Sequence, residues 1–285
     1  MAEFRVGDIT VTRVVELAAT GGSKFILPQA TPEDVSKIGW LQPHFADERG
    51  RLKIAVQTFV IQTPDARILV DTGLGAHKQG RKVPHWNNRT DPFLDMLADA
   101  GAPADTVDLV INTHLHVDHV GWNTVLEGDQ WVPAFRKARY VMGRDDFDYW
   151  RDQQEDAEHR AVFDDSVAPI AAAGLADLVA DGDEIAPGVS VVATPGHSIG
   201  HMSILLRSKG EELLLGGDVM HHPCQIARPE WSSTADYDQT QSTQTRLALF
   251  NRLADAGTPL LGGHFTGAGR GRVRREGGSF RLDIV

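Results

Sequence analysis

Apolar and polar residues alternate over residues 9–17, which predicts a strand with one wet face, ended by Gly21 and Gly22. Thr31, Pro32, Glu33 and Asp34 then read as a helix start, with Thr31 as cap, Pro32 in the first turn and two acids near the positive end of the dipole. That helix is expected to run to about Gly39 or Trp40. Two apolar runs, 55–62 and 67–71, flank the turn residues Pro64 and Asp65 and predict a hairpin. Residues 75–90 are basic and irregular and are expected to form a flap, while residues 18–53 form an N-terminal arm. Asp91 and Pro92 open a helix through about Ala100, and 107–112 has the length and β-branched content of a buried strand.

The second half repeats this strand-rich character. A strand over 138–142 precedes a charged helix over 144–154 and a further helix over 157–174 that Pro169 should kink or divide. Strands follow at 189–194, 202–207 and 212–215, then a long helix over 238–256 with Leu247, Phe250 and Leu253 on one face, and a terminal hairpin over 271–285. Two sheet-rich halves with intervening helices suggest a two-sheet sandwich of the α+β class, in a single domain over 1–285.

The polar residues at the ends of these strands carry the chemistry. Straight after the 107–112 strand, His114, His116, Asp118 and His119 place three imidazoles and a carboxylate within six residues. His114 and His116 point to one side while the chain is extended, and the following turn can bring Asp118 and His119 round together. Imidazole nitrogens and a carboxylate oxygen suit zinc or a similar first-row divalent ion. Four such groups exceed what one open catalytic ion usually takes from a single loop, which suggests two neighbouring ions. Three later strand-to-turn junctions end in ligand-type residues: His197 after Pro195 and Gly196, Asp218 after Gly216 and Gly217, and His264 after Gly262 and Gly263. Asp71, leaving the 67–71 strand, reads equally as a turn or capping residue and as a partner that orients a ligand histidine.

Charge and composition narrow the partners. A chain of 285 residues, 41% hydrophobic, can bury a large core. Its 39 acidic against 28 basic residues give a net charge of -11, which disfavours an extended nucleic-acid surface. The first residues lack the apolar core of a signal peptide and no stretch is long enough to span a bilayer, so a cytoplasmic protein without membrane partners is expected. The single cysteine, Cys224, fits a reducing compartment and reads as a packed thiol.

The ordered set His114-x-His116-x-Asp118-His119, Asp71-Thr72-Gly73, His197, Asp218 and His264 resembles the metallo-β-lactamase superfamily, over about residues 54–265. The resemblance implies a four-layer αββα sandwich with the metal site along one edge of the sheets. It also implies that His114, His116 and His197 hold one ion, that Asp118, His119 and His264 hold the other, and that Asp218 bridges them. Two such ions, zinc by first expectation with manganese, iron or cobalt as alternatives, would lower the pKa of a shared water and present hydroxide to an electrophile. Asp118 would hydrogen-bond the nucleophile or leaving group.

Within the family the chain is similar in size and ligand set to the N-acyl-homoserine lactonases and the related small-lactone, arylester and organophosphate hydrolases. Many N-acyl-homoserine lactonases place a tyrosine three residues after the bridging aspartate, where this chain has His221. An imidazole there can donate a similar hydrogen bond or act as general acid. The neighbouring sequence looks more like a broader branch that includes a pyridoxine-derived lactonase and a hydrolytic dehalogenase. The function expected is therefore dinuclear metal-dependent hydrolysis of a small lactone or ester. Dehalogenase, organophosphate hydrolase, di-iron redox protein and sulfur dioxygenase are the alternatives on the same site. Substrate contact is expected from at least one of His221 and His222, and Trp86, Trp122 and Phe265 are candidates to line an apolar pocket. A homodimer is a family-based expectation.

Overall fold

Chain contacts divide the protein into two units, one made of Met1–Glu16 and Val56–Ala186, the other of Leu17–Ala55 and Pro187–Val285. The computed structural model describes residues 3–153, 155–267 and 269–285. Mixed sheets with helices make the chain α+β.

The first unit is built on the strands β1 (Glu3–Val6), β2 (Ile9–Thr20), β3 (Lys53–Gln62), β4 (Arg67–Val70), β5 (Leu109–Asn112), β6 (Thr124–Glu127), β7 (Gln130–Pro133), β8 (Arg139–Gly143) and β9 (Ala176–Val179). Its sheet runs β1-β2-β3-β4-β5-β8-β9, with β6 and β7 forming a separate ribbon. The β3–β4 hairpin is antiparallel with Phe59 opposite Val70, whereas β4, β5, β8 and β9 are parallel, with Ile68 opposite Leu109 and Leu109 opposite Arg139. Ile68, Leu69, Val70, Val110 and Ile111 are all buried, as parallel strands covered on both faces require. The helix Phe93–Asp99 drives Phe93 and Leu97, one turn apart, into this core, each contributing roughly 1.5–3 kcal/mol. Because β4 and β5 are parallel neighbours, their carboxyl ends lie side by side. That adjacency puts Asp71 beside Thr113, whose backbone N–H donates to Asp71 Oδ1 at 2.8 Å.

Past β10 (Glu184–Ala186), the second unit carries β11 (Val189–Ala193), β12 (Met202–Ser208), β13 (Glu211–Leu215), β14 (Pro259–Leu261), β15 (Arg270–Glu276) and β16 (Ser279–Ile284), hydrogen-bonded in chain order. All pairs from β11 to β16 are antiparallel except β13–β14, where Leu214 lies opposite Leu260 in parallel. β11, β13 and β14 therefore end on one edge of the sheet, and the loops bearing His197, Asp218 and His264 leave from it. The helix Gln239–Ala256 packs Leu249, Phe250 and Leu253 into the core with Leu214, Leu260, Phe265 and Phe280. Asp238 caps its start by accepting from the N–H groups of Thr240 and Gln241, and Gly257 ends it at φ 72°. The N-terminal arm belongs to this core, with Leu27, Leu41, Phe45 and Leu52 fully buried.

The structure departs from the sequence reading at several elements. Leu247 is 39% exposed, and the inward face of its helix is made by Ser242, Arg246, Leu249, Phe250 and Leu253. Residues 31–40 form a short helix, Pro32–Ser36, capped by Thr31 as expected, and then a separate turn, Gly39–Leu41, that sends Leu41 inward. The 157–174 stretch is Ala157–Val162, a π-helical turn over Phe163–Val167, and Ala168–Ala172, with Pro169 in the first turn of the last piece, where no N–H is needed. The 75–90 segment does not hang free. Lys78 Nζ lies 3.6 Å over the Trp131 ring and donates to Thr124 Oγ1 and the Asp165 carbonyl, while the Arg81 guanidinium meets both Asp165 oxygens at 2.8 and 2.9 Å. Among the described residues no helix is long and apolar enough to cross a membrane.

Candidate functional site

In the first unit the ligand-type residues follow β5 and are tied to the end of β4. Asp71 takes a left-handed backbone, φ 57°, which costs a non-glycine residue and aims its carboxylate at the loop after β5. Its oxygens accept from the Thr113 N–H, the Thr113 hydroxyl at 2.9 Å and His119 Nδ1 at 2.8 Å. With the Thr113 hydroxyl donating to Asp71, its oxygen accepts from His114 Nδ1 at 3.1 Å. One carboxylate thus fixes both His114 and His119 with Nδ1 carrying the proton. The three imidazoles cluster, with ring centroids 4.0 Å apart for His114 and His119 and 4.6 Å for His114 and His116. Asp118 Oδ1 lies 3.6 Å from His119 Nε2. His114 and His119 are buried, whereas His116 and Asp118 are half-buried. Asp146, from the helix Arg144–Asp152, accepts the Leu115 N–H and fixes the loop between the first two histidines.

In the second unit three imidazoles surround one carboxylate oxygen. Asp218 Oδ2 lies 3.0 Å from His264 Nε2, 3.3 Å from His221 Nε2 and 3.6 Å from His197 Nε2. His264 Nδ1 must donate to the Ala55 carbonyl, 2.7 Å away, so a neutral His264 presents a bare Nε2 lone pair to the carboxylate. His197 is in the same state, with Nδ1 donating to Asp236 Oδ1 at 2.9 Å. Acceptors facing acceptors at this range call for a cation between them, either a proton on a ring or a metal ion. His197, His221 and Asp236 each also offer a ligand atom within 4.8 Å of the others.

Close packing holds these loops in place. Gly196, at φ 128°, precedes His197 where a Cβ would come within 2.3 Å of the Ser242 nitrogen, so the start of the long helix bears directly on this turn. The Asp218 N–H donates to His201 Nε2 at 2.9 Å. Arg246, fully buried, donates to the carbonyls of Val219, Pro229 and Trp231 and lies 4.0 Å from Asp236. Burial pushes the Asp236 carboxyl up, but the hydrogen bond from His197 and the nearby charges outweigh it, and the net shift is downward. Burial also holds His221 neutral, its pKa lowered to about 3.

Several sequence expectations are corrected here. His222 does not face a substrate: it is fully buried, Nε2 donates to the Phe45 carbonyl at 2.7 Å and Nδ1 accepts the Cys224 N–H at 3.0 Å. Trp122 is a core residue, 5% exposed, stacked on Phe93 and donating its indole N–H to Glu16. Phe265 is fully buried edge-on to Phe45. Trp86 is half-buried, edge-on to His85, in the segment that Lys78 and Arg81 fasten. Cys224, by contrast, is the packed thiol expected, free and buried. Sequence reasoning missed Asp236, Asp146 and Arg246. No local pattern separates Asp236 from Asp238, which merely caps a helix two residues later.

The family model described as Metallo-beta-lactamase superfamily matches residues 53–264. Among characterised proteins, an N-acyl homoserine lactonase of Bacillus cereus is 27% identical over 178 residues, covering 58% of this chain and 63% of that protein. The chain thus spans somewhat under two thirds of that relative's length. The N-acyl homoserine lactonase AiiB of Agrobacterium fabrum is 25% identical over 257 residues, 82% of this chain and 85% of that protein. Among solved structures, the hydrolase AbOPH superposes with a TM-score of 0.81 at 23% identity, covering 100% of this chain and 97% of that one. AidC, a dizinc quorum-quenching lactonase solved with a product, gives 0.82 at 18% identity, covering 99% and 96%. At these identities the structural likeness is one of fold.

Proposed function

The chain belongs to the metallo-β-lactamase superfamily, and we propose that it is a metal-dependent hydrolase of small lactones or esters holding two divalent ions, zinc first among them. In this reading His114, His116 and His197 hold one ion, Asp118, His119 and His264 hold the other, and Asp218 serves both. The observation that carries it is the state of the histidines. In His114, His119, His197 and His264, Nδ1 is spent on an acceptor, Thr113 Oγ1, Asp71, Asp236 and the Ala55 carbonyl respectively. Imidazoles whose tautomer is fixed through one nitrogen, so that the other carries a lone pair, are the usual arrangement of metal-ligating histidines. The lone-pair nitrogens facing Asp218 Oδ2 fit a divalent cation better than a shared proton, because a carboxylate and several imidazoles together match a borderline metal.

Bound divalent ions supply a Lewis acid for a carbonyl oxygen and a water acidic enough to attack near neutral pH. The chain's own groups do the rest. Asp71 and Asp236 keep their histidines in one tautomer, so no reorientation is needed during reaction. Asp118, with its carboxylate half-buried, takes up a proton or hydrogen-bonds the leaving oxygen. His221, neutral through burial, donates a hydrogen bond where the resemblance leads one to expect a tyrosine. That difference points to small lactones and aryl esters in general rather than to acyl-homoserine lactones in particular. A buried thiol and an acidic surface fit a cytoplasmic enzyme acting on a small molecule.

Hydrolysis assays with γ-butyrolactone, acyl-homoserine lactones, phenyl acetate, a phosphotriester and a chloroaromatic test this reading on zinc-loaded protein. Turnover of a lactone or ester that His116→Ala and Asp218→Ala each reduce by at least a hundredfold is expected. Turnover confined to the chloroaromatic or phosphotriester, or activity indifferent to both substitutions, contradicts it.

A further inference from the structure

Of the three imidazoles after β5, His116 is the one that reaches the surface, and two rings wall it. Trp150 lies 5.7 Å away, tilted, and His159 lies parallel to His116, with centroids 5.9 Å apart and planes 9° apart. His159 sits in the first turn of the helix Ala157–Val162, whose Asp156 cap accepts its backbone N–H at 3.2 Å. Lys82 holds that turn, with Nζ 2.7 Å from Asp156. The ring is therefore on a fixed element. It packs edge-on to Trp150 with centroids 4.0 Å apart, yet 31% of the side chain remains exposed. Among the described residues no group hydrogen-bonds either ring nitrogen, and Asp156 Oδ1 comes only to 4.0 Å from Nδ1. Phenylalanine would fill the same stack, so what the imidazole adds at this partly exposed position is a donor and an acceptor open to a ligand.

We infer that His159 is a substrate-contacting specificity residue, hydrogen-bonding a polar group of the small lactone or ester as that molecule lies against His116. The inference rests on the hydrolase reading for its substrate class. His159 holds the substrate by a carbonyl or hydroxyl oxygen away from the bond that breaks, and Trp150 backs the imidazole so that its edge faces outward.

His159→Phe keeps the ring stack and removes the nitrogens, whereas His159→Ala removes both. On zinc-loaded protein, His159→Phe should raise KM for the best lactone or ester at least fivefold, with kcat within about twofold and with metal content and thermal midpoint unchanged. His159→Gln, which restores a donor, should recover part of the loss. A second readout needs no turnover: in histidine-labelled protein titrated with 4-hydroxybutanoate, the ring-opened γ-lactone, the His159 ring resonances should shift, and His159→Phe should weaken binding severalfold. If the wild type turns over no lactone or ester but the His159 resonances shift, the hydrolase reading falls and the contact stands. A KM unchanged in His159→Phe, impairment confined to His159→Ala, or resonances that do not move would each overturn the inference.

Discussion

At the scale of single residues, two buried carboxylates do different work. Asp236 exists to hold His197, so Asp236→Asn, which keeps the shape and loses the charge, is expected to weaken zinc binding by about 10- to 100-fold. Competition against a chromophoric chelator measures this, with circular dichroism confirming the fold. Glu16 is instead a structural acid. Its oxygens accept from the Leu74 N–H and the Trp122 indole, Arg89 lies 3.9 Å away and Asp91 is nearby. Burial, opposed by the two donors and Arg89, lifts its carboxyl from 4.5 to about 7. An acid raised in the folded state contributes most stability below pH 4.5, and that contribution is lost as pH climbs through about 7. The span corresponds to roughly 3 kcal/mol. Urea unfolding at pH 5 and pH 8 should therefore show the wild type losing about that much more stability than Glu16→Gln; equal losses would refute the assignment. Residue type was a poor guide to such roles. Trp122 and Phe265 flank ligand-type residues in the sequence, yet both side chains turn into the core, which spacing alone does not reveal.

At the scale of elements, legibility followed the range of the interactions. The strands β3, β4, β11, β12 and β13 and the helix Gln239–Ala256 fall close to where periodicity and capping residues put them, because their signals are local. The β6–β7 ribbon, β9 and β10 escaped notice, being three or four residues long and partly exposed. The 75–90 segment reads as a loose flap because its basic residues look solvated, while their partner Asp165 is 84 residues from Arg81. Arg246 was likewise illegible: it lies on a helix whose polar residues suggest a wet face, but it is wholly buried and joins that helix to Val219, Pro229 and Trp231. Arg246→Leu should cost about 3–5 kcal/mol by leaving the Val219 and Pro229 carbonyls without a donor, the Trp231 carbonyl with Gln225 alone, and Asp236 without its cation. Denaturant midpoints check this, and Arg246→Lys should restore only part of the loss because a single ammonium cannot reach all the acceptors.

At the scale of the whole molecule, each unit solves the same problem in the same way. A parallel pair, β4–β5 in one and β13–β14 in the other, places two strand ends side by side and hangs ligand-type residues from them. His197 joins them from β11, which ends on the same edge as β13 and β14, and the seven residues, spread over 151 positions from His114 to His264, read in order as a family signature. The substrate does not read out in the same way, since the group proposed to touch it, His159, obeys no spacing rule. The central claim is that these residues bind two ions with Asp218 common to both. Zinc titration of chelator-stripped protein, followed by calorimetry and elemental analysis, tests it most directly. Two ions per chain in the wild type, and loss of tight binding at both sites in Asp218→Ala, are the predicted results; fewer than one tightly bound ion per chain, or binding unchanged by Asp218→Ala, would contradict the account.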